Sequence, residues 1–545
     1  MRRTPIGGLA LALLLALALA PAAPASPLLT LRSDGTTFAR EDPTLPPVQA
    51  SLPAVTPRSA HAARSPRSSA GSARAAAAKP TVRGELARML AAGEIDQATH
   101  DAKRAIYADA LALRAKVTGA RRAALGAVLR NLEDVAARGG FEPSRLPALF
   151  ETVARNRQWW AQGPLLRNGA RVSFSGSRIV WQFYAGEGLQ IQWLGTFGKA
   201  NGLWQGGYDA SLRGLLDEAL ALAAQRAGGI AWEYLFRFDG GRPPWVSGLA
   251  QGTALQAFSR AAVRFGEPRY FEAARAGLGI FREAPPSGVR VATPAGAHYL
   301  IYSFAPGLRV LNAFTQALNG LHDFGALAND DEGRALFAAG EAQLRGELGE
   351  YDTGGWSRYS LGGRDADVSY HTLARDFLRN LCARLTEDAA RAAQPPATPA
   401  TPAGGTPAPA APTGGALPLP APPAPAPAAA LDPGPYCAAG ERWTQYLARP
   451  PVVQLVSRRA RGGKPAVLKL SVSKPSNVTL RVRRGSRTVI VLGGRLGSGL
   501  RTLRWPSPPR SEARYKVLLH AQDLTGRSAS GEATLEVLAA RRAKR

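Results

Sequence analysis

The stretch Trp245-Val-Ser-Gly-Leu-Ala-Gln-Gly-Thr-Ala-Leu-Gln-Ala-Phe-Ser-Arg-Ala-Ala-Val-Arg-Phe265 decides the fold class. From Ser247 to Phe265 it reads as one helix of ordinary globular length, closed by Gly266 and Pro268. Segments of the same kind recur on both sides, at Ala210–Gln225, Pro268–Phe281, Gly307–Phe324, Glu332–Leu348 and Ser369–Thr386. Paired helices joined by short Gly/Pro-marked loops predict a mainly α chain built as an α/α toroid, a closed ring of helical hairpins with its site at one end. No fixed repeat period supports a solenoid.

Working outward, residues from Thr81 to about Arg155 are also helical in pattern, with Leu86, Met89, Leu90, then Leu111, Leu113, then Leu125, Val128, Leu129, Leu132. Residues 170–200 form a β-hairpin region, because Val172 to Tyr184 alternates apolar residues about a Ser-Gly-Ser turn. Residues 26–80, rich in Pro, Ala, Ser and Arg, read as a disordered tether. Residues 1–25 read as a signal peptide: Arg2 and Arg3, an apolar run from Leu9 to Ala20, then Ala23-Pro24-Ala25. That run is short for a membrane span and no later segment qualifies, so the chain is expected to be secreted, extracellular or cell-surface associated, without a transmembrane segment after signal cleavage.

Residues 390–433 are an almost pure Pro/Ala/Gly/Thr segment. The short helix after it, Tyr436 to Leu447, reads as the closing helix of the preceding domain, so the helical domain is expected over 81–450 with a disordered insertion. The two cysteines, Cys382 and Cys437, are expected to be bridged in an oxidising compartment. Closing a loop of about 54 intervening residues stabilises by roughly 4 kcal/mol in the chain-entropy account. Residues 452–540 change to β pattern, with Val467–Val472, Val478–Val482, Val489–Leu492, Arg501–Trp505 and Tyr515–Ala521 at about ten-residue spacing. That spacing predicts an immunoglobulin-like β-sandwich.

The formal charge is +28, and from Pro451 to Arg545 there are 21 Lys/Arg against four acids. Such a surface suits polyanions, here an acidic polysaccharide or an anionic cell-wall polymer, and equally fits a solvated basic face. Export makes nucleic acid the least suitable partner. The six histidines show no ligand spacing and there is no cysteine metal site, so no metal and no cofactor are implied. No nucleophile elbow, metalloprotease helix or phosphate loop occurs.

What remains is a set of aromatic and amide positions: Tyr184 through Gln190 and Gln192, Trp245 to Gly252, Tyr299 to Phe304, Leu311-Asn-Ala-Phe314, Tyr351 to Tyr359, and Arg364 to Tyr370-His371. In these motifs the chain resembles the D-glucuronyl C5-epimerase family, in its C-terminal catalytic domain, as a bacterial-type member with an added β-sandwich. The resemblance runs from about Pro244 to Leu447, and Arg442-Trp443 with Tyr446-Leu447 is similar to the family's closing pattern.

The resemblance implies inversion of C5 in hexuronate units of a polymer. That needs a base to take the proton α to the carboxylate, an acid on the opposite ring face, and a cation or strong donors holding the carboxylate. It places Tyr302, Tyr359 and Tyr370 on active-site tyrosines, with Tyr370 and Tyr302 as the proton-transfer pair and Tyr359 and Asn312 orienting the sugar. Tyr184, Gln190, Gln192, Ser247, Gly248, Gln251, Arg364 and His371 are the implied substrate contacts. The chain departs from the family pattern at Ile301, where a glutamate is expected, and at Gly362, where an arginine is expected; Arg364 is the candidate replacement cation. Two other functions stay open on the same residues: a polysaccharide lyase, and a glycan-binding protein without turnover.

Overall fold

A computed structural model of the chain describes residues 27–46, 79–393 and 431–540. The expected signal segment, residues 47–78 of the expected tether and residues 394–430 of the Pro/Ala insertion lie outside the described residues.

The first described segment corrects the tether reading. Strands β1 (Pro27–Leu31) and β2 (Thr37–Glu41) form a hairpin, and β1 continues into a sheet by pairing parallel with β3 (Arg171–Phe174). The reason is Leu28 and Leu31, both buried, whose signal is short and lies beside composition-biased sequence. The chain then runs close along a later helix, because a Cβ added at Gly202 would meet the Thr44 carbonyl at 2.3 Å.

Four helices follow: α1 (Val82–Ala91), α2 (Gln97–Lys116), α3 (Gly119–Ala136) and α4 (Leu146–Gln162). Strands β4 (Trp181–Tyr184) and β5 (Gly188–Ile191) complete a sheet of order β2-β1-β3-β4-β5. The hairpin region ends earlier than expected, at α5 (Trp193–Gln205), since the Gln192 side chain accepts from the Gly195 N–H and starts a helix there. Helix α6 (Asp209–Ala221) likewise stops short of Gln225, which enters the small hairpin β6 (Ala224–Arg226) and β7 (Gly229–Ala231).

Helix α7 (Gly248–Phe265) is capped by Ser247 and ended by Gly266 at φ +65°, a left-handed position suited to glycine. After α8 (Pro268–Ala276), α9 (Gly279–Arg282) and the hairpin β8 (Arg290–Thr293) and β9 (Gly296–Tyr299) come α10 (Leu311–Leu327) and α11 (Asp331–Glu347). Helix α10 is buried from Leu311 to Gly325, with α7, α11 and α12 (Val368–Ala392) packed around it. Its approach to α7 is backbone on backbone, since a Cβ on Gly320 would overlap the Gly252 carbonyl. Helix α13 (Gly434–Ala448) lies against α12, tied to it by the Cys382–Cys437 disulfide, with Tyr436 and Trp443 fully buried.

The remaining strands are β10 (Val453–Leu455), β11 (Arg459–Arg461), β12 (Ala466–Val472), β13 (Ser476–Arg484), β14 (Arg487–Leu496), β15 (Gly499–Trp505), β16 (Ala513–Asp523) and β17 (Ser528–Leu538). They form two sheets, β10-β12-β15 and β11-β17-β16-β13-β14. Strict alternation along β12 and β13 aims Leu468, Leu470, Leu480 and Val482 into one core with Trp505, Val517 and Val537.

This β region is docked on the helices. The Lys474 ammonium donates to the Tyr446 carbonyl (2.6 Å) and the Arg449 carbonyl (2.5 Å), pairs with Asp523 (2.8 Å), and lies 5.6 Å from the Trp356 ring centroid. A Cβ on Gly355 would meet the Ser473 carbonyl at 2.3 Å. Among the described residues no helix is long and apolar enough to cross a membrane.

Candidate functional site

Two adjoining spaces share one residue, Tyr370. The inner one is a cavity of about 40 Å³ lined by Tyr184, Gln192, Tyr234, Trp245, Ser247, Ile301, Tyr302 and Tyr370, among others. It has room for a water or two, not for a sugar ring. Tyr184 ends β4 and Gln192 begins α5, so the short turn over residues 185–187 and the pairing of β4 with β5 bring them together: the Gln192 amide donates to the Tyr184 hydroxyl (3.1 Å) and accepts from that of Tyr234 (3.3 Å). Tyr234 stacks on Trp245 at 4.3 Å, and Tyr302 stands edge-on to Trp245 at 5.4 Å.

The outer space is a cleft of about 420 Å³, within the size range of ligand pockets. Tyr359, Arg364, Asp365, Asp367 and Tyr370 line it from the helical side, and Pro475, Arg495, Gly497 and Arg501 from the β region. Asp367 caps α12 by accepting from the Tyr370 N–H (2.9 Å), which sets Tyr370 on the first turn. The Tyr359 N–H donates to the Arg364 carbonyl (2.9 Å), closing a tight loop whose apex, Gly362, sits at φ +64°. Tyr359 and Tyr370 meet edge to face with centroids 4.7 Å apart.

Burial raises every phenol of this group. Tyr302 and Tyr359 are held well above the ordinary tyrosine value, first by desolvation and then by neighbouring phenols. Tyr370 is also raised, by burial and then by Asp367, while Arg364 pulls Tyr359 and Tyr370 back down. At neutral pH the cluster is a set of protonated donors. To act as a base, a phenol must first lose its proton, and Arg364 is the cation placed to help.

The other residues singled out in the sequence fall in several places. Tyr184, Gln192 and Ser247 line the inner cavity and Arg364 the cleft. Asn312 is 2 % exposed on the first turn of α10, beside Leu311, whose N–H reaches the Tyr359 carbonyl (3.4 Å); its amide nitrogen has no hydrogen-bond partner among the described residues.

Four assignments to substrate contact are corrected. Gln190 faces a separate small cavity beside Val128 and Leu149, with its amide donating to the Glu187 carbonyl (2.6 Å). Gln251 is spent on backbone, donating to the carbonyls of Ile230 (3.0 Å) and Gly277 (2.9 Å). Gly248 is a packing position, where a Cβ would meet the Leu300 carbonyl at 2.5 Å. His371 is fully buried between Trp356 (3.9 Å) and Trp443 (5.6 Å), bonded to the Ser357 hydroxyl and the Trp443 carbonyl, and burial pushes it down to about 4.

Sequence reasoning missed Tyr234, Asp365, Arg495 and Arg501. Tyr234 was legible only as one aromatic in an aromatic stretch. The arginines lie among many in a basic β region, and nothing in one-dimensional spacing marks two of them. Among the described residues no group of acidic, histidine or cysteine side chains is arranged to hold a metal ion.

Comparison with known proteins agrees with the motifs. Residues 227–392 match the family described as D-glucuronyl C5-epimerase C-terminus. A D-glucuronyl C5-epimerase of Caenorhabditis elegans is 33% identical over 132 residues, 22% of this chain and 21% of that protein. The chain thus matches about a fifth of that relative's length. Over residues 227–392, in its central helical region, the chain is similar to the D-glucuronyl C5-epimerase family. Solved structures with partial likeness include the endo-beta-1,4-glucanase CMCax from Acetobacter xylinum, 14% identical over 39% of this chain and 72% of that one at a TM-score of 0.27. Another is a Cellulomonas fimi endo-beta-1,4-mannanase double mutant, 13% identical over 75% and 85% of the two chains at a TM-score of 0.12. TM-scores this low establish no common fold.

Proposed function

We propose that this chain is a uronyl C5-epimerase acting on hexuronate residues of an extracellular acidic polysaccharide. Its helical hairpins α5–α6, α7–α8, α10–α11 and α12–α13 would be successive pairs of an α/α toroid over residues 81–450, followed by an immunoglobulin-like domain over 452–540. The observation that carries the function is the position of Tyr370, on the wall common to the polar cleft and the tyrosine-lined cavity.

Tyr359 and Tyr370 touch, so no sugar ring fits between them. A hexuronate entering from the cleft would instead lie between Tyr370 and Tyr302, after the inner cavity widens. One of these, as phenolate, takes the C5 hydrogen as a proton, and the C–H electron pair passes into the carboxylate as an enediolate. The other phenol then returns a proton to the opposite face, leaving the polymer isomerised and the two phenols with exchanged protonation. Tyr359 and Asn312 orient the ring, and Arg364 meets the growing negative charge on the carboxylate.

The test is incubation with candidate polyuronides in deuterated water. Deuterium at C5 without chain cleavage, lost in Tyr370→Phe, is the expected result. Unsaturated, ultraviolet-absorbing chain ends would make the protein a lyase instead. A second reading, glycan binding without turnover, is favoured by the small inner cavity and by Ile301 and Gly362; binding unaffected by Tyr370→Phe, with no deuterium uptake, would establish it in place of the first.

A further inference from the structure

Arg495 on β14 and Arg501 on β15 line the cleft opposite the tyrosines. They are brought there by Ser498, which lies between them in the chain. The Ser498 N–H and hydroxyl both donate to the Asp365 carboxylate, at 2.6 and 2.7 Å, and Asp365 follows Arg364 directly. One contact therefore gathers three guanidinium groups, from two separately folded regions of chain, around a single space. The two carboxylates on the same lining are already acceptors: Asp365 for Ser498, and Asp367 for the first turn of α12. All three arginines are exposed to solvent, so a ligand reaches them without displacing protein.

We propose that the β region is part of the substrate site, with Arg495 and Arg501 binding the carboxylates of an anionic glycan chain and Arg364 holding the reacting one. The cleft lining carries three positive side chains against two negative, and a bound carboxylate balances it. Guanidinium suits this role because its planar fork can pair bidentately with carboxylate. The site also solves a local problem at Gly362. An arginine there would have to adopt a left-handed backbone, so the cation cannot stand at the apex of this tight loop without strain. The positive charge is supplied instead by Arg364, two residues on, and by the neighbouring β region. Arg495 and Arg501 bind the chain directly in this scheme, and they make the site specific for a polymer bearing several carboxylates.

The inference rests on the reading that the cleft takes a hexuronate chain, and the experiment separates the two. Affinity of the full chain is measured for a glucuronate-containing oligosaccharide and for its carboxyl-reduced, neutral counterpart, in 0.15 M salt. The variants are Arg495→Gln with Arg501→Gln and, as a control of equal charge loss, Arg484→Gln with Arg487→Gln. The control pair faces each other at the far end of the β13–β14 ladder, eight residues along β13 from the Ser476–Leu496 pair, roughly 25 Å away at strand rise. The cleft pair is expected to weaken carboxylated ligand about tenfold or more and leave the neutral one unchanged, while the control pair shifts affinity less than about twofold. Thermal midpoints equal to the parent exclude misfolding. Equal, small effects of both pairs on a ligand that the parent protein binds would overturn this inference and leave the function standing. A parent protein that prefers neither ligand would overturn both.

Discussion

Asp365, in the loop before α12, accepts two hydrogen bonds from Ser498, 133 residues later in the chain, through the Ser498 backbone N–H and hydroxyl. Ser498 is 5 % exposed, while Asp365 is half-buried on the cleft wall. Removing the acceptor leaves a buried donor unsatisfied, which costs about 1–3 kcal/mol. Asp365→Ala should therefore loosen the β region: calorimetry is expected to show a separate, lower transition for it, with the helical transition little moved. An unchanged single transition would mean that Lys474 and the Gly355–Ser473 contact hold the docking without help.

The phenols of Tyr302, Tyr359 and Tyr370 are raised by burial, so the folded state keeps their protons more tightly than the unfolded chain does. The sign follows from linkage: their contribution is complete below the unfolded value near 10 and is lost as pH climbs above it. Alkaline titration should show cooperative unfolding above about pH 10, with phenolate absorbance appearing together with loss of helix. In Tyr302→Phe with Tyr359→Phe that alkaline midpoint should move upward. Gradual phenolate absorbance in a still-folded protein would show the cluster to be open to water.

Helix existence was readable because α7, α10, α11 and α12 are long and strongly patterned, and the β alternation of β12 and β13 is equally plain. Boundaries slipped where a side chain, rather than periodicity, decides them, as at Gln192 capping α5 or Gln225 leaving α6 for a hairpin. The β1–β2 hairpin escaped because two leucines carry it amid biased sequence. At the site, the family motifs pointed to tyrosines that do gather, yet they did not separate Gln251 and His371, which support the scaffold, from Gln192, which faces the cavity. That distinction depends on where each side chain's hydrogen bonds go. Arg495 and Arg501 depend on how two regions dock, which no local pattern records.

His371 gives an acid-side prediction. Stacked between two tryptophans, it stays neutral in the folded protein down to about pH 4, whereas an unfolded histidine takes up its proton near 6.5. Its depressed value means stability present above 6.5 and lost as pH falls from there toward 4, by up to roughly 3 kcal/mol from this group. His371→Asn should cost stability at pH 7 through lost stacking, about 2–3 kcal/mol, but should flatten the decline between pH 6.5 and 4. Urea midpoints of both proteins across that range measure it; parallel curves would refute the assignment.

The Cys382–Cys437 bond fastens α13 to α12 across a sequence separation of 55 residues. Helix α13 carries Trp443, whose carbonyl accepts from the His371 Nε2–H (3.1 Å) and whose indole N–H donates to Asp352 (3.2 Å); Tyr446 donates to the same carboxylate (3.0 Å). It also supplies the Tyr446 carbonyl that Lys474 of the β region grips. Losing the covalent tie releases a long loop in the unfolded chain, worth roughly 4 kcal/mol by loop-closure entropy. Cys437→Ser should therefore lower the unfolding free energy of the helical region, read from urea titration, by an amount of that order. Because α13 links both regions, the same variant should also weaken the β docking and open the cleft. Reductant added to the parent protein should reproduce the shift and leave Cys437→Ser unmoved; an effect of reductant on the variant would place the loss elsewhere than in this bond.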